Sequence, residues 1–438
     1  VDWPLILFLM LGGLLALLAA GLPVAFAFIA VNLAGAFLIL GGESGLVQMA
    51  RNSVQSISSF QLVPIVLFIL MGEILFQTRV AHRAIDAVDR VVTRIPGRLS
   101  VVTVFAGTIF AALSGSTIAN TAMLGSTLLP AMLKRGYHPT LAMGPILASG
   151  AIAMLIPPSA LAVLVGSLAG ISIAGLLVAG IIPALILSGC FLALIVATAI
   201  LRPDFAPADE MPSMSLRERW RPFLIYVVPL SGIFIVVIGS LLSGLATPTE
   251  SAALGSLAAV LAGLGYRSLT VRNLGTAVME TVKLSVMILF IIAASQTFSQ
   301  ILSFSGATSG LISLIQTLEL SRLQILAGMV LILLFLGCFV DQVSMLMVTI
   351  PVFVPLARAV GIEPLLLGIV YLLTMEIALL TPPFGLLLFV MQGVAPDWIR
   401  MRHIYAAITP FVAIKLVVLI LVIAFPILGT WLPAQLGR

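Results

Sequence analysis

Charge is what this sequence lacks. Of its 438 residues 8% are Asp, Glu, Lys or Arg, while 61% are hydrophobic. Soluble domains carry about 25% charged residues. A water-facing surface cannot be built from so little charge, so the expected solvent is lipid. Histidine is also scarce: His82, His138 and His403 sit beside basic residues or at the ends of apolar runs, without metal-ligand spacing, and read as solvated. The two cysteines, Cys190 and Cys338, fall within apolar segments. They read as small core hydrophobes and say nothing about redox compartment. No glycine-rich phosphate loop is present, so nothing points to ATP chemistry. No His/Asp/Glu or Ser/Lys group gathers at one depth, which argues against a membrane-embedded enzyme.

What is present is a series of long apolar runs: Trp3–Ala20, Pro23–Leu40, Leu62–Phe76, Leu176–Leu201, Phe223–Leu242, Ala252–Leu264, Val286–Ala294 and Ile404–Leu428. A spanning helix needs about 20 mostly apolar residues. The first run begins without a basic segment before it, so it reads as a retained span and not as a signal peptide. The net charge of +5 does not indicate nucleic acid, because the basic residues sit at span ends. They set orientation instead. With Arg79, Arg83, Arg90, Arg94 and Arg98 on the cytoplasmic side, so are Lys134-Arg135, Arg202, Arg217, Arg219, Arg221, Arg267, Arg272, Arg400 and Arg402. Arg51, Arg322, Arg358 and Arg438 fall outside. This frame predicts a multi-pass chain with both termini outside.

The chain also repeats itself. At an offset of 225 residues Pro4 meets Pro229, Pro23 meets Pro248, Pro130 meets Pro355, Gly136 meets Gly361, Pro139 meets Pro364, and Pro157-Pro158 meets Pro382-Pro383. Six of the ten prolines before residue 200 find a partner this way, without a gap. Each half makes an odd number of crossings in the charge frame, so the repeat is expected to be inverted. Inverted halves can exchange conformations, which gives alternating access by symmetry. The predicted organisation is a first repeat over 1–201, with scaffold helices 3–78, an amphipathic arm 79–97, a hairpin 99–133 and a broken helix 140–168. A cytoplasmic linker, 202–222, leads to the second repeat, 223–438, with a hairpin 323–357 and a broken helix 365–393. In the arm, Val80, Ala84, Ala87, Val88 and Val91 are spaced for a helix lying on the membrane surface.

Arg98 and Lys134 bracket an uncharged stretch with Ser114-Gly115-Ser116-Thr117 and Asn120-Thr121 at its middle. As helix, 99–113 reaches about 22 Å, short of a core of about 30 Å. With basic residues at both ends, the reading is a re-entrant hairpin turning at a polar tip. Leu323–Ala357, with Asp341-Gln342 near its middle, repeats the pattern from the opposite face. Unwound backbone at that depth must be buried in protein or line a watery cavity. Its carbonyls, with Ser, Thr and Asn oxygens, suit a small hard cation, and helix N-termini aimed at the same point favour an anion. The plainer reading is that small residues let helices pack closely.

The doublets Pro157-Pro158 and Pro382-Pro383 each lie inside a longer apolar run, where two prolines should interrupt the helix. Asp341 is expected either to ligate a cation or to tie its hairpin together. Glu376 faces the same cavity or pairs with a scaffold group. Glu250, after Pro248, complements a helix start. Glu73, Glu280 and Lys415 read as interfacial or snorkelling groups.

These residues carry a family resemblance. Ala106–Ser116, Lys134-Arg135-Gly136-Tyr137, Leu155-Ile156-Pro157-Pro158-Ser159, Ala246-Thr247-Pro248-Thr249-Glu250 and Thr381-Pro382-Pro383-Phe384-Gly385 resemble the large membrane subunit of tripartite ATP-independent periplasmic (TRAP) transporters, over essentially the whole chain. The resemblance implies an all-α polytopic, inverted-repeat elevator fold with two re-entrant hairpins and two Pro-Pro broken helices. It implies sodium-coupled uptake of an organic acid such as a dicarboxylate across a bacterial inner membrane, which puts the two outside termini in the periplasm. The implied partners are a separate four-helix small membrane subunit and a periplasmic substrate-binding protein, with no cofactor beyond the coupling Na+. Carried over, sodium falls to Ser114, Gly115, Ser116, Thr117, Asn120, Pro157, Asp341, Gln342 and Thr381. Substrate falls to Ser116, Asn120, Ser159, Ser344 and Pro383. A stand-alone sodium/anion symporter or anion exporter is the alternative.

Overall fold

The computed structural model describes residues 2–78, 80–93, 95–114, 116–207 and 214–437. Arg79, Arg94, Gly115, the linker residues 208–213 and Arg438 lie outside the described residues, as does the side chain of Ser114. The described elements are helical. In lipid this is the arrangement that satisfies every backbone group within its own segment.

In the first half the helices are α1 (Trp3–Ala19), α2 (Val24–Ile39), α3 (Glu43–Ile57), α4 (Val63–Gln77), α5 (Val80–Val91), α6 (Arg98–Ser114), α7 (Thr117–Lys134), α8 (Pro139–Ala151), α9 (Ala160–Ala169) and α10 (Ile173–Leu201). In the second they are α11 (Leu216–Leu242), α12 (Pro248–Gly265), α13 (Val271–Phe304), α14 (Ala307–Thr317), α15 (Arg322–Gly337), α16 (Gln342–Ala359), α17 (Pro364–Ala378), α18 (Leu386–Val394), α19 (Met401–Ala424) and α20 (Ile427–Gln435). Among the described residues six helices are long and apolar enough to cross a membrane: Phe60–Gln77, α10, α11, α13, α16 and α19.

The repeated prolines and glycines turn out to be helix punctuation. Pro139 and Pro364 are the first residues of α8 and α17, where proline loses no helical hydrogen bond. Gly136 and Gly361 end the preceding helices at φ of 81° and 70°, which favour glycine. Between these marks, α7 and α16 start and end 225 residues apart. The halves differ at α3 and α4, whose counterpart is the single helix α13. Packing repeats as well. α4 packs on α12, while its counterpart α13 packs on α2, the counterpart of α12. α4 also packs on α13, and α10 on α19. Exchanging the halves therefore returns the same set of contacts, the signature of a two-fold relation.

Three expectations need correction. Val80, Ala84, Ala87 and Val88 are buried, because α5 packs against residues 216–227 at the start of the second half. Its apolar face is covered by protein, not laid on lipid. Lys415 does not snorkel: it is fully buried, 2.7 Å from Glu376. His138 and His403 are not merely solvated. His138 stacks on Phe205 with ring centroids 3.9 Å apart and takes the Thr140 N–H on Nδ1, and His403 Nδ1 takes the N–H of Arg400. Glu250 belongs to a capping box with Thr247, as its place at a helix start suggested.

Candidate functional site

α6 and α7 form an antiparallel pair. Asn120 Nδ2 donates to the Gly107 carbonyl at 3.1 Å, and the Leu99 N–H meets the Tyr137 hydroxyl near the open end. The close approach of this pair to α8 depends on glycine at two points. A Cβ at Gly107 would strike Ser149, and one at Gly150 would strike Thr121 Oγ1. The arms have 17 and 18 residues, so each reaches about 25 Å or a little more. At the turn, Ser116 is the N-cap of α7 and accepts the Ala119 N–H at 3.3 Å. Thr117 and Asn120 are buried behind it. Asn120 Oδ1 and Thr121 Oγ1 are buried without a hydrogen-bond partner. Buried acceptors are almost always paired, so these two oxygens are available to a cation.

α15 and α16 repeat the pair. The turn is longer, 338–341, and Asp341 takes the post of Ser116. Its Oδ1 accepts the N–H groups of Val343 and Ser344 at 3.0 and 3.1 Å, and the buried Ser344 hydroxyl donates to its Oδ2. Asp341 itself is exposed. It therefore caps α16 and still presents carboxylate lone pairs outward.

Both doublets interrupt their helices, and both Pro-Pro bonds are cis. After the first, Ser159 caps α9 by accepting the Ala162 N–H at 3.2 Å. Pro157, Pro158 and Ser159 are buried, and Pro157 borders a cavity of about 200 Å³ with Thr108 and Ser188. After the second, α18 begins at Leu386. Here Pro382 and Pro383 are exposed and Thr381 is partly so. The Thr381 hydroxyl donates to Ile377 O at 2.7 Å, and the Pro383 carbonyl accepts from the Tyr405 hydroxyl at 2.8 Å.

These parts meet across the halves. α6 and α7 pack on the turn 152–154 that precedes Pro157. Gln342 Nε2 lies 3.4 Å from Met154 Sδ, which joins the second tip to the first break. Cys338 Sγ faces the Pro382 carbonyl at 3.7 Å, which joins the second tip to its own break. Helices α7, α9, α16 and α18 all start in this region. Each N-terminus carries about half a positive charge. The described site thus offers hydroxyl, amide, carbonyl and single carboxylate oxygens with converging helix starts. That donor set suits a small hard cation beside an anion. No group of three His, Cys, Asp or Glu that could hold a metal occurs among the described residues.

Behind the site lies a pair that bears out one of the two readings of Glu376, a partner on another helix, and corrects that of Lys415. Glu376 and Lys415 form a fully buried ion pair, with Lys415 Nζ 5.8 Å from the Phe191 ring centroid. The backbone N–H groups of Met154 and Leu155 face the same carboxylate, while its Oε1 has no hydrogen bond of good geometry. A second-half acid is thereby set against the first-half break. Two acids or bases in apolar runs with no nearby sequence partner are the signal that could have paired them.

Comparison with known proteins accords with this architecture. Residues 11–428 match the family described as "Tripartite ATP-independent periplasmic transporter, DctM component". The C4-dicarboxylate TRAP transporter large permease protein DctM of Pseudomonas aeruginosa is 32% identical, covering 93% of this chain and 94% of that one. The sialic acid TRAP transporter large permease protein SiaM of Vibrio cholerae is 32% identical, covering 96% and 97%. The ectoine TRAP transporter large permease protein TeaC of Halomonas elongata is 30% identical, covering 97% and 98%. The fold is similar to that of the Alcanivorax borkumensis YdaH transporter, with a TM-score of 0.63 at 14% identity over 91% of this chain and 90% of that one. Neisseria gonorrhoeae MtrF gives 0.60 at 15% identity over 87% and 84%. The chain belongs to the DctM family: it is a multi-pass large permease subunit of a TRAP transporter, and not an enzyme.

Proposed function

We propose that this subunit carries an organic acid into the cell together with sodium ions, by an elevator movement of its two helix pairs against the scaffold. The observation that carries this reading is the meeting of the second pair tip with both Pro-Pro breaks, through Gln342–Met154 and Cys338–Pro382. Sodium is assigned to the first tip, around Ser116, Thr117 and Asn120, with Ser114, Gly115 and Pro157. It is assigned to the second around Asp341, Gln342 and Thr381. The acid is assigned to the space between, near Ser116, Asn120, Ser159, Ser344 and Pro383, where helix N-termini favour its carboxylate.

The helix pairs are re-entrant in this reading, because basic residues flank the base of each pair and polar residues its tip. The two-fold relation of the halves then lies in the membrane plane, and both termini are periplasmic. Each positive charge moved inward gains about 2.3 kcal/mol per 100 mV, so excess sodium over acid charge concentrates substrate without ATP. Relatives are named for a C4-dicarboxylate, sialic acid and ectoine, so family membership leaves the acid open, and in this reading the binding protein that delivers the acid selects it. The partners are a small membrane subunit and a periplasmic binding protein, as the tripartite family description implies.

Uptake into proteoliposomes containing this chain and the small subunit, with the binding protein added outside, tests the reading. Uptake should require an inward sodium gradient. Equal uptake without that gradient at fixed voltage removes the coupling. Equal uptake without the binding protein favours a stand-alone symporter.

A further inference from the structure

A second polar space lies away from the tips. It is a cavity of about 210 Å³ at the seam between the end of α9, the last third of α13 and the C-terminal part of α16. Its polar lining comes from Ser167, Ser295, Gln296, Ser299 and Arg358. Arg358 is the charged residue among them.

Proline chemistry on α16 opens this wall. Pro351 has no N–H, so the Met347 carbonyl one turn earlier lacks its helical donor. The Ser295 hydroxyl supplies one from α13, at 2.8 Å. Ser295 is thereby committed to holding the two helices together. Its neighbours are not: among the described residues the side chains of Ser167, Gln296 and Ser299 have no hydrogen-bond partner in the protein. Arg358, exposed at the end of α16, gives one Nη2 hydrogen to the Ala169 carbonyl at 2.6 Å. That contact caps α9. A guanidinium has five N–H donors, so most of its capacity remains, and it borders the cavity.

We propose that this cavity is an anion site that holds the carboxylate of the incoming acid before it reaches the tips. The carboxylate would lie on the free edge of Arg358, whose planar fork matches it. Ser167, Ser299 and Gln296 would hydrogen-bond the rest of a polar molecule. The identity of the anion as cargo rests on the uptake reading above. The existence of an anion site does not.

The test uses the purified chain in nanodiscs, with Cys190 and Cys338 replaced by Ser and Ser299→Cys added. A thiol reagent bearing a sulfonate should label residue 299 about tenfold faster than one bearing a quaternary ammonium, because a fixed cation concentrates anions in a confined space. Arg358→Gln should abolish that preference. Succinate should slow the labelling, and uncharged erythritol should not. Absence of the preference, its survival in Arg358→Gln, or no effect of succinate each overturns the site. If Ser299→Cys does not elute as a folded monodisperse particle, Gln296→Cys carries the same measurement. The labelling needs no sodium gradient and no partner. Anion-selective labelling without sodium-driven uptake would therefore keep this site and remove the transport reading, and the opposite pair of results would do the reverse.

Discussion

Ser116 and Asp341 stand 225 residues apart and hold the same post. Each precedes the second arm of its helix pair, and each accepts a backbone N–H from that arm's first turn. The chemistry differs: a neutral hydroxyl in one half and a carboxylate in the other. Asn caps about as well as Asp, whereas Ala costs typically about 1 kcal/mol. Asp341→Asn should therefore unfold near the wild-type temperature yet need more sodium for half-maximal uptake. Asp341→Ala should lose both. Sodium titrations of uptake, with thermal unfolding of the same preparations, check this. An unchanged titration in Asp341→Asn takes the carboxylate out of the sodium site.

Asn120 gives the first tip its own test. Nδ2 is spent on Gly107, and Oδ1 is buried without a partner. Removing a cation ligand should weaken binding by about tenfold, or about 1.4 kcal/mol. Asn120→Ala should raise the half-maximal sodium concentration by about that factor. Asn120→Asp should not, because it keeps an oxygen in place. Equal titrations for the two variants would leave Oδ1 as a packing atom.

Why some of this was legible in the chain follows from which residues carry it. Pro139, Pro364, Gly136 and Gly361 act through the backbone, so their spacing revealed where helices start and stop. The doublets Pro157-Pro158 and Pro382-Pro383 showed the breaks for the same reason. What stayed hidden depends on contacts between distant segments. Lys415 looked like a snorkelling side chain because nothing near it in sequence pairs with it. Its partner is 39 residues away on another helix. The apolar face of α5 looked lipid-bound because periodicity reports a buried face and not what buries it. The unequal exposure of the two breaks was hidden for a similar reason, since Ser159 and Phe384 sit at the same repeat position in different surroundings.

The Glu376–Lys415 pair should behave as a buried ion pair does. Removing one partner strands a charge in the core, at a cost of about 3–5 kcal/mol, whereas replacing both with apolar groups is often near neutral. Glu376→Gln and Lys415→Met should each markedly lower the unfolding temperature of the purified chain. The double variant Glu376→Leu with Lys415→Met should regain most of the loss. A double variant as unstable as the singles would mean that the pair is held by more than its charges.

His138 supplies a pH test outside the spans. Partial burial against Phe205 pushes it below its ordinary value of 6.5, with Asp204 opposing and Arg202 adding to the shift. Its Nδ1 must stay unprotonated to accept the Thr140 N–H at the start of α8. Unfolding restores the ordinary value, so the unfolded chain binds more protons in this range and stability rises with pH. The contribution is complete above about pH 6.5 and is lost as pH falls through the lower folded value. His138→Asn keeps a good N-cap that does not titrate. Unfolding temperatures measured between pH 8 and pH 5 should fall more steeply for the wild type than for His138→Asn. Parallel curves would show that the imidazole stays neutral, or is not needed, at this helix start.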